Sequence, residues 1–255
     1  MSEKVIDTFT HKVGKAEVAV LMPVHNEAKT IEETVKSFYN VIGSKMPLEI
    51  VLSEDGSNDN TQEIIEKMSE MIPLKAILSP FRKGYAGGIK DGLKLVEAEY
   101  VLITDSDGQH DPTDFWKLWN LRTNYDIVSG WRKNRADAFH RKVMSKIFQL
   151  MVKCTFNLPN FMDMTAPFKL MKTEVAREIA SECKYMSESF WNEFTVRAYT
   201  KGLNIVEISV NHRRRMDNSS TRVYKPWKIP KIAWTQVNAL FKLRSEIRNR
   251  QELKC

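Results

Sequence analysis

Between residues 101 and 112 the chain reads VLITDSDGQHDP, an apolar stretch that breaks into Asp105, Asp107, Gln109, His110 and Asp111. Carboxylates this close repel one another unless a positive charge neutralises them. Where a strand gives way to a turn, alternate residues point the same way. Asp105, Asp107 and Gln109 can therefore offer oxygens to one hard cation such as Mg2+ or Mn2+. The competing structural explanation is an Asx turn in which aspartate caps the next helix. Asp111, directly before Pro112, suits that role; Asp105 and Asp107 suit it less well.

Two more polar knots follow apolar runs. In LSEDGSNDNT, Glu54 and Asp55 close a strand, Gly56 permits a tight turn, and Asp59 or Asn60 caps the helix TQEIIEKM. An acid there could accept hydrogen bonds from a base or ribose. PVHNEAKTIEE supplies Glu27 as a further acceptor, with Asn26 and Thr30 equally suited to turn and capping duties.

Positioning these acids requires a scaffold, and the pattern through residue 130 provides one. EVAVLMPV, LEIVLSED, LKAIL and YVLITD are short, β-branched and continuously apolar, and they alternate with the amphipathic stretches AKTIEETVKSFYNVI, TQEIIEKMSEMI and AGGIKDGLKLVEA. That βαβαβαβ order predicts a mostly parallel sheet with helices on both faces. Ligands in such sheets sit at the carboxyl ends of the strands, where PVHNE, SEDGSND and DSDGQHD fall. Beyond them DIVSGW reads as a strand, PFKLMKTEVAREIA and SESFWNEFTVRAYTKGLNIVEISV as strand, helix, helix and strand, and residues 138–157 as an amphipathic helix. Its apolar positions Val143, Ile147, Leu150, Met151 and Cys154 fit core packing or, as the minority reading, a membrane-surface helix.

At 255 residues, 42% hydrophobic and 28% charged, the chain can bury a substantial core as one domain with an appendage. Its apolar runs are far short of the roughly 20 residues of a membrane-spanning helix, and its first residues lack the blocks of a secretory signal. A cytoplasmic location is the expectation. Three cysteines without CxxC spacing suggest neither a disulfide framework nor zinc; Cys154 and Cys183 read as core thiols and Cys255 as a tail thiol. The net charge of +7 is concentrated: residues 211–255 carry 12 Lys and Arg against 3 Asp and Glu, leaving residues 1–210 slightly acidic. The expected division is a domain over 1–210 and a basic extension over 211–255. That extension suits nucleic acid, anionic lipid or a phosphorylated substrate. It lacks a helix-turn-helix or RNA-reading signature, which weighs against nucleic acid.

Taken in order, PVHNE, SEDGSNDNT, RKGYAGGIKDGL, DSDGQHDP, VSGWRKN and MDMTAPFKLM resemble the inverting family-2 glycosyltransferases with the GT-A fold, a Rossmann-like α/β architecture. The closest likeness is to their dolichol-phosphate mannose synthase-like branch, and it extends from about residue 17 to 225. The resemblance implies a nucleotide-diphosphate sugar donor such as GDP-mannose or UDP-glucose, with Mg2+ or Mn2+ on its diphosphate. Pro23, His25, Asn26 and Glu27 match the first nucleotide-binding block, and Asp55 the acid near base or ribose. Glu54 departs from the usual paired Asp, which leaves the base open. Lys83 and Gly84 through Gly92 match the block under the donor, and Asp105, Asp107 and Gln109 the metal and diphosphate motif, with Ser106 beside them as a donor-binding residue. Arg132 is a candidate catalytic helper, as is Asp163, which stands at the family's DxxxxF position and would serve as base for a hydroxyl acceptor. Arg132, Arg141, Arg213, Arg215 and Arg222 resemble the family's clamp for a polyprenyl acceptor's phosphate and the donor diphosphate, and His212 either joins them or is a surface histidine. The segment YKPWKIPKIAWTQVNALFKLRSEIRNR interleaves Trp227, Trp234, Phe241 and Leu243 with basic residues, as an anchor on an anionic membrane surface or a docking face for the domain or a membrane-embedded partner. Alternatives are a transferase of the same fold that elongates a glycan, a nucleic-acid-binding module, and an inactive scaffold.

Overall fold

The computed structural model describes residues 2–133, 139–215 and 229–252. Among them the chain runs β1 (Lys4–Asp7), α1 (Phe9–Lys12), β2 (Val18–Val24), α2 (Ile31–Phe38), β3 (Leu48–Asp55), α3 (Thr61–Met71), β4 (Leu74–Ser79), α4 (Tyr85–Leu95), β5 (Tyr100–Ile103), α5 (Phe115–Trp119), β6 (Ile127–Arg132), α6 (Phe139–Phe156), β7 (Lys169–Lys172), α7 (Thr173–Glu182), α8 (Phe190–Thr200), β8 (Ile205–Val210) and α9 (Ile229–Glu252).

The strands form one eight-stranded sheet in the order β1-β4-β3-β2-β5-β7-β6-β8. β4, β3, β2 and β5 are parallel to their neighbours within that block, and β6 is parallel to β8. The edge strand β1 and the inserted β7 run antiparallel. The α/β expectation holds, with a mostly parallel sheet. β1 was not expected: four residues of mixed polarity on an edge carry too little period-2 signal to distinguish them from a tail.

β2 explains why the sheet is covered on both sides. All seven of its residues are buried, and they alternate between two cores. Val18, Val20 and Met22 join α2, α3 and α5, whereas Ala19 and Leu21 join α4, α7 and α8. Each fully buried aliphatic side chain contributes roughly 1.5–3 kcal/mol relative to exposure, so a polar residue on either face would be costly. Gly92 lets α4 lie close against this strand, since a Cβ there would overlap Leu21.

A third cluster joins Val152 of α6, Val196 of α8 and Ala239, Leu240, Leu243 and Ile247 of α9 with Phe161, Met164 and Met186. The C-terminal helix is thus docked through one face, while Trp234 is 70% and Phe241 59% exposed. The core-packing expectation for the α6 face is corrected here. Ile147, Leu150, Met151 and Cys154 are exposed, and the buried residues are Gln149 and Val152 instead. Amphipathic spacing identifies an apolar face without saying what covers it. Cys183 is buried as expected, but Cys154 is not a core thiol.

Candidate functional site

The strand order reverses between β2 and β5, and sheets of this kind form their ligand crevice at the carboxyl ends of the strands flanking such a reversal. β2 delivers Pro23 to Glu27, β3 ends on Glu54 and Asp55, β5 is followed by Asp105 to Gln109, and β6 ends on Arg132. Four strands therefore bring polar residues from across the sequence to one rim.

Asp105 and Asp107 lie at its centre. Asp105 is half-buried and accepts a hydrogen bond on Oδ1 from the Tyr85 hydroxyl at 3.0 Å. Asp107 is 8% exposed and accepts one from the Gln109 backbone N–H at 3.1 Å. Burial raises the Asp105 carboxyl despite that bond from Tyr85 and the charge of Arg132. Burial first, and the charge of Asp105 second, push Asp107 up to about 7. Across the crevice Glu27 accepts from the Thr30 hydroxyl at 2.7 Å and from Arg215 Nη2 at 2.5 Å, and Arg215 Nη1 stands 3.8 Å from Asp107.

Arg215 gets there because the chain after β8 lies antiparallel along the acidic loop. His110 and His212 form a β-bridge. Arg213 N–H donates to the Gln109 carbonyl at 2.8 Å, and Gln109 Nε2 donates to the Arg213 carbonyl at 3.0 Å. Asn211 N–H donates to Asp114 at 2.6 Å, and Arg213 pairs with Asp111 at 2.5 Å. His212 packs edge-on against His110, which stacks on Phe168 and is buried without a partner for either ring nitrogen. Asp111 also caps the 112–114 turn, accepting from Thr113 N–H at 3.0 Å, as its place before Pro112 predicts.

The remaining candidates divide into site-facing and supporting groups. Ser106 Oγ donates to the Pro23 carbonyl at 2.9 Å and so ties the two strand ends together. The His25 ring donates from Nδ1 to the Asp55 carbonyl at 2.8 Å. Asp55 accepts from the backbone N–H groups of Lys83 and Gly84 at 2.5 and 2.8 Å, so it holds the loop entering α4. Glu54 is buried and accepts from Ser57 N–H and Gln62, both at 2.5 Å. The Lys83 ammonium pairs with Glu3 and Asp91, which brings its backbone rather than its charge to the rim. Burial alone would lower it, but those partners hold it above the usual lysine range.

Arg132 and Asp163 form a fork, with Nε to Oδ2 at 2.8 Å and Nη2 to Oδ1 at 3.1 Å. Thr165 donates to the same Oδ1 at 2.7 Å, while Glu207 accepts the backbone N–H groups of Met162 and Asp163. Asp163 therefore orients Arg132, and both its oxygens are engaged. Arg222 lies outside the described residues, as does the side chain of Arg141. Sequence reasoning gave Tyr85 no role beyond its place in the block under the donor and missed Trp191: the indole N–H donates to the Tyr85 hydroxyl at 2.9 Å. Nothing in spacing could reveal a bond between residues 106 positions apart.

Among the described residues no group of three or more His, Cys, Asp or Glu is arranged to hold a metal. The oxygen donors that the 105–109 loop can offer are the Asp105 and Asp107 carboxylates and the Gln109 amide oxygen. Those are hard oxygen groups, and burial, then the neighbouring Asp105, raises the Asp107 carboxyl. They fit a Mg2+-like ion that takes one or two carboxylates and leaves positions for phosphate oxygens.

Residues 19–181 match the family model described as glycosyl transferase family 2. An uncharacterized protein of Methanocaldococcus jannaschii is 28% identical over 73% of this chain and 84% of its own length. The undecaprenyl-phosphate 4-deoxy-4-formamido-L-arabinose transferase of Proteus mirabilis is 29% identical over 58% of this chain, and the match spans 45% of that longer protein. Among solved structures, glucosyl-3-phosphoglycerate synthase of Mycobacterium tuberculosis, in complex with Mn2+, UDP-glucose and phosphoglyceric acid, superposes with a TM-score of 0.64 at 15% identity, covering 93% of this chain and 82% of that one. A mannosyltransferase of Pyrobaculum calidifontis in complex with GDP-mannose and Mn2+ gives 0.59 at 17% identity, covering 85% and 61%. At these identities the structural likeness establishes the GT-A fold.

Proposed function

The chain belongs to glycosyl transferase family 2, and we propose that it moves a hexose from a nucleotide-diphosphate sugar to a polyprenyl phosphate at a membrane surface. The observation that carries the reading is the pair Asp105 and Asp107, which stands at the switch point of the sheet with Glu27 and Arg215 opposite. Asp105, Asp107 and Gln109 would hold a divalent cation, which when bound would supply charge stabilisation for the departing nucleotide diphosphate. Arg215 adds a guanidinium whose fork suits phosphate oxygens. Glycosyl transfer passes through an oxocarbenium-like state while charge accumulates on the leaving group, so fixed cations act most strongly when that charge is largest.

The surroundings of Asp163 support a phosphate acceptor. A sugar hydroxyl must lose a proton to a base, and Asp163 is the natural suspect. With both oxygens held by Arg132 and Thr165, it is a poor one. An acceptor that is already a phosphate anion needs orientation instead, which Arg132 at 9% side-chain exposure can provide. The names of the arabinose transferase relatives support the same acceptor class.

No helix of the described residues is long and apolar enough to cross a membrane. α6 nevertheless exposes Met144, Ile147, Leu150 and Met151, and α9 exposes Trp234 and Phe241 beside Lys242 and Arg244. Apolar side chains interleaved with basic ones suit an anionic lipid interface, where a polyprenyl phosphate would be met.

The test is turnover of purified protein with Mn2+ or Mg2+, GDP-mannose or UDP-glucose, and either a polyprenyl phosphate or a soluble glycan. Sugar transfer to the lipid phosphate is expected; transfer only to the glycan defeats the reading.

A further inference from the structure

Asp105 is reached by a line of hydrogen bonds that begins in the core on the far side of the sheet. The Trp191 indole N–H, on α8, donates to the Tyr85 hydroxyl at 2.9 Å. The Tyr85 hydroxyl donates in turn to Asp105 Oδ1 at 3.0 Å. Trp191 is 5% exposed and cannot turn away: its ring meets Phe190 and Phe194 edge-on at 5.1 and 5.3 Å, and the Lys169 ammonium stands 5.5 Å from its centroid. That ammonium is itself fixed by Ser129 at 2.6 Å. Tyr85 is the first residue of α4, held edge-on to Phe190 at 6.3 Å.

With Asp105 ionised, as cation binding requires, the polarity of the line is fixed. Indole nitrogen only donates, so the Tyr85 oxygen accepts from it and has its own proton to give, and a carboxylate is the acceptor it meets. We propose that Trp191 and Tyr85 act in series as positioning residues for Asp105: the indole fixes the phenol, the phenol fixes Oδ1, and Oδ2 is thereby committed to the divalent cation. The claim deepens the proposed function and rests on Asp105 being a cation ligand. Outer hydrogen-bond partners of this kind typically change metal affinity by about 10–100-fold.

The arrangement makes a specific demand. Two independent supports would weaken cation binding by factors that multiply, whereas links in one series do not add once the last is cut. Mn2+ binding to the full chain, without any donor sugar, is read from the electron paramagnetic resonance of the free ion. Wild type is expected to bind and Asp107→Ala to lose binding. Tyr85→Phe, which removes one oxygen and keeps the ring, should bind about tenfold more weakly. Trp191→Phe should lose about threefold, and the double variant should bind no more weakly than Tyr85→Phe alone. In turnover, the metal concentration for half-maximal rate should rise in Tyr85→Phe, with kcat at saturating metal within about twofold of wild type. Wild-type affinity in Tyr85→Phe, or a double variant whose loss is the product of the two single losses, overturns the series. No Mn2+ binding by wild type, or binding that survives Asp107→Ala, overturns the cation reading beneath it. Thermal melts of each variant establish that it is folded; if Trp191→Phe is not, the single-oxygen change at Tyr85 decides alone.

Discussion

Two clusters of acid in this chain face opposite electrostatic fates. At the rim, burial raises both Asp105 and Asp107. Where α9 meets α8, Glu246 and Glu182 pair with several cations, and Glu193 is held by Arg197 and by the backbone N–H groups of Lys184, Tyr185 and Met186. Arg197, only 2% exposed, reaches Glu193 at 2.8 Å and Glu246 at 3.2 Å, and Arg250 reaches Glu182 and Glu246, both at 2.9 Å. Burial would raise Glu246 too, but hydrogen bonds from Arg197, Tyr185 and Lys184 bring it down to about 2. One cluster is a finished joint that fastens α9 to α8. The other keeps its carboxyls raised by burial, the pattern expected of acid held for a ligand.

The contrast breaks most sharply under truncation. Asp107→Ala should cost about a thousandfold or more in sugar transfer, while the metal-free variant melts no lower than its parent. A variant that loses stability along with activity would put Asp107 in the structural class. Arg197→Ala should do the reverse: removing the cation from a buried, hydrogen-bonded group of carboxylates should destabilise by about 3 kcal/mol, measured by denaturant unfolding.

Acidity separates the clusters next. The native state holds Asp107 protonated up to about 7, whereas its ordinary value is 3.8. The folded chain therefore binds more protons across that window, and this group's share of metal-free stability falls as pH rises through it. Saturating Mn2+ should flatten that slope. Glu246 has the opposite sign, contributing fully above 4.5 and losing its share as pH falls toward about 2, with or without metal. Thermal melts from pH 3 to pH 8, with and without Mn2+, check both slopes. At the small end, Arg248→Gln should leave the melting temperature unchanged, because the Arg248–Glu252 pair is exposed on both sides.

How much of this was legible in the sequence depends on the range of the interaction. Continuous apolar strands such as VAVLM and LEIVL announced a parallel sheet covered on both faces, and their polar ends announced the rim, because burial and strand period act locally. Edge strand β1 was too short and polar to register. The Arg132–Asp163 fork, the Gln109–Arg213 exchange and the Trp191–Tyr85–Asp105 line all join residues far apart in the chain, and residue types alone give them no signature. α6 shows a different limit, since helical spacing identified Ile147, Leu150, Met151 and Cys154 as one stripe yet left open whether protein or something else lies over it.

Gln109 has a directional consequence. A carboxamide presents similar outlines with its two ends exchanged, so a lone glutamine can offer either nitrogen or oxygen to a neighbour. Here the Arg213 carbonyl accepts only from the nitrogen, which forbids the swap and leaves the oxygen as the end turned to other company. A glutamate at this position would keep an oxygen but repel that carbonyl, loosening the very segment that carries Arg215 to the crevice.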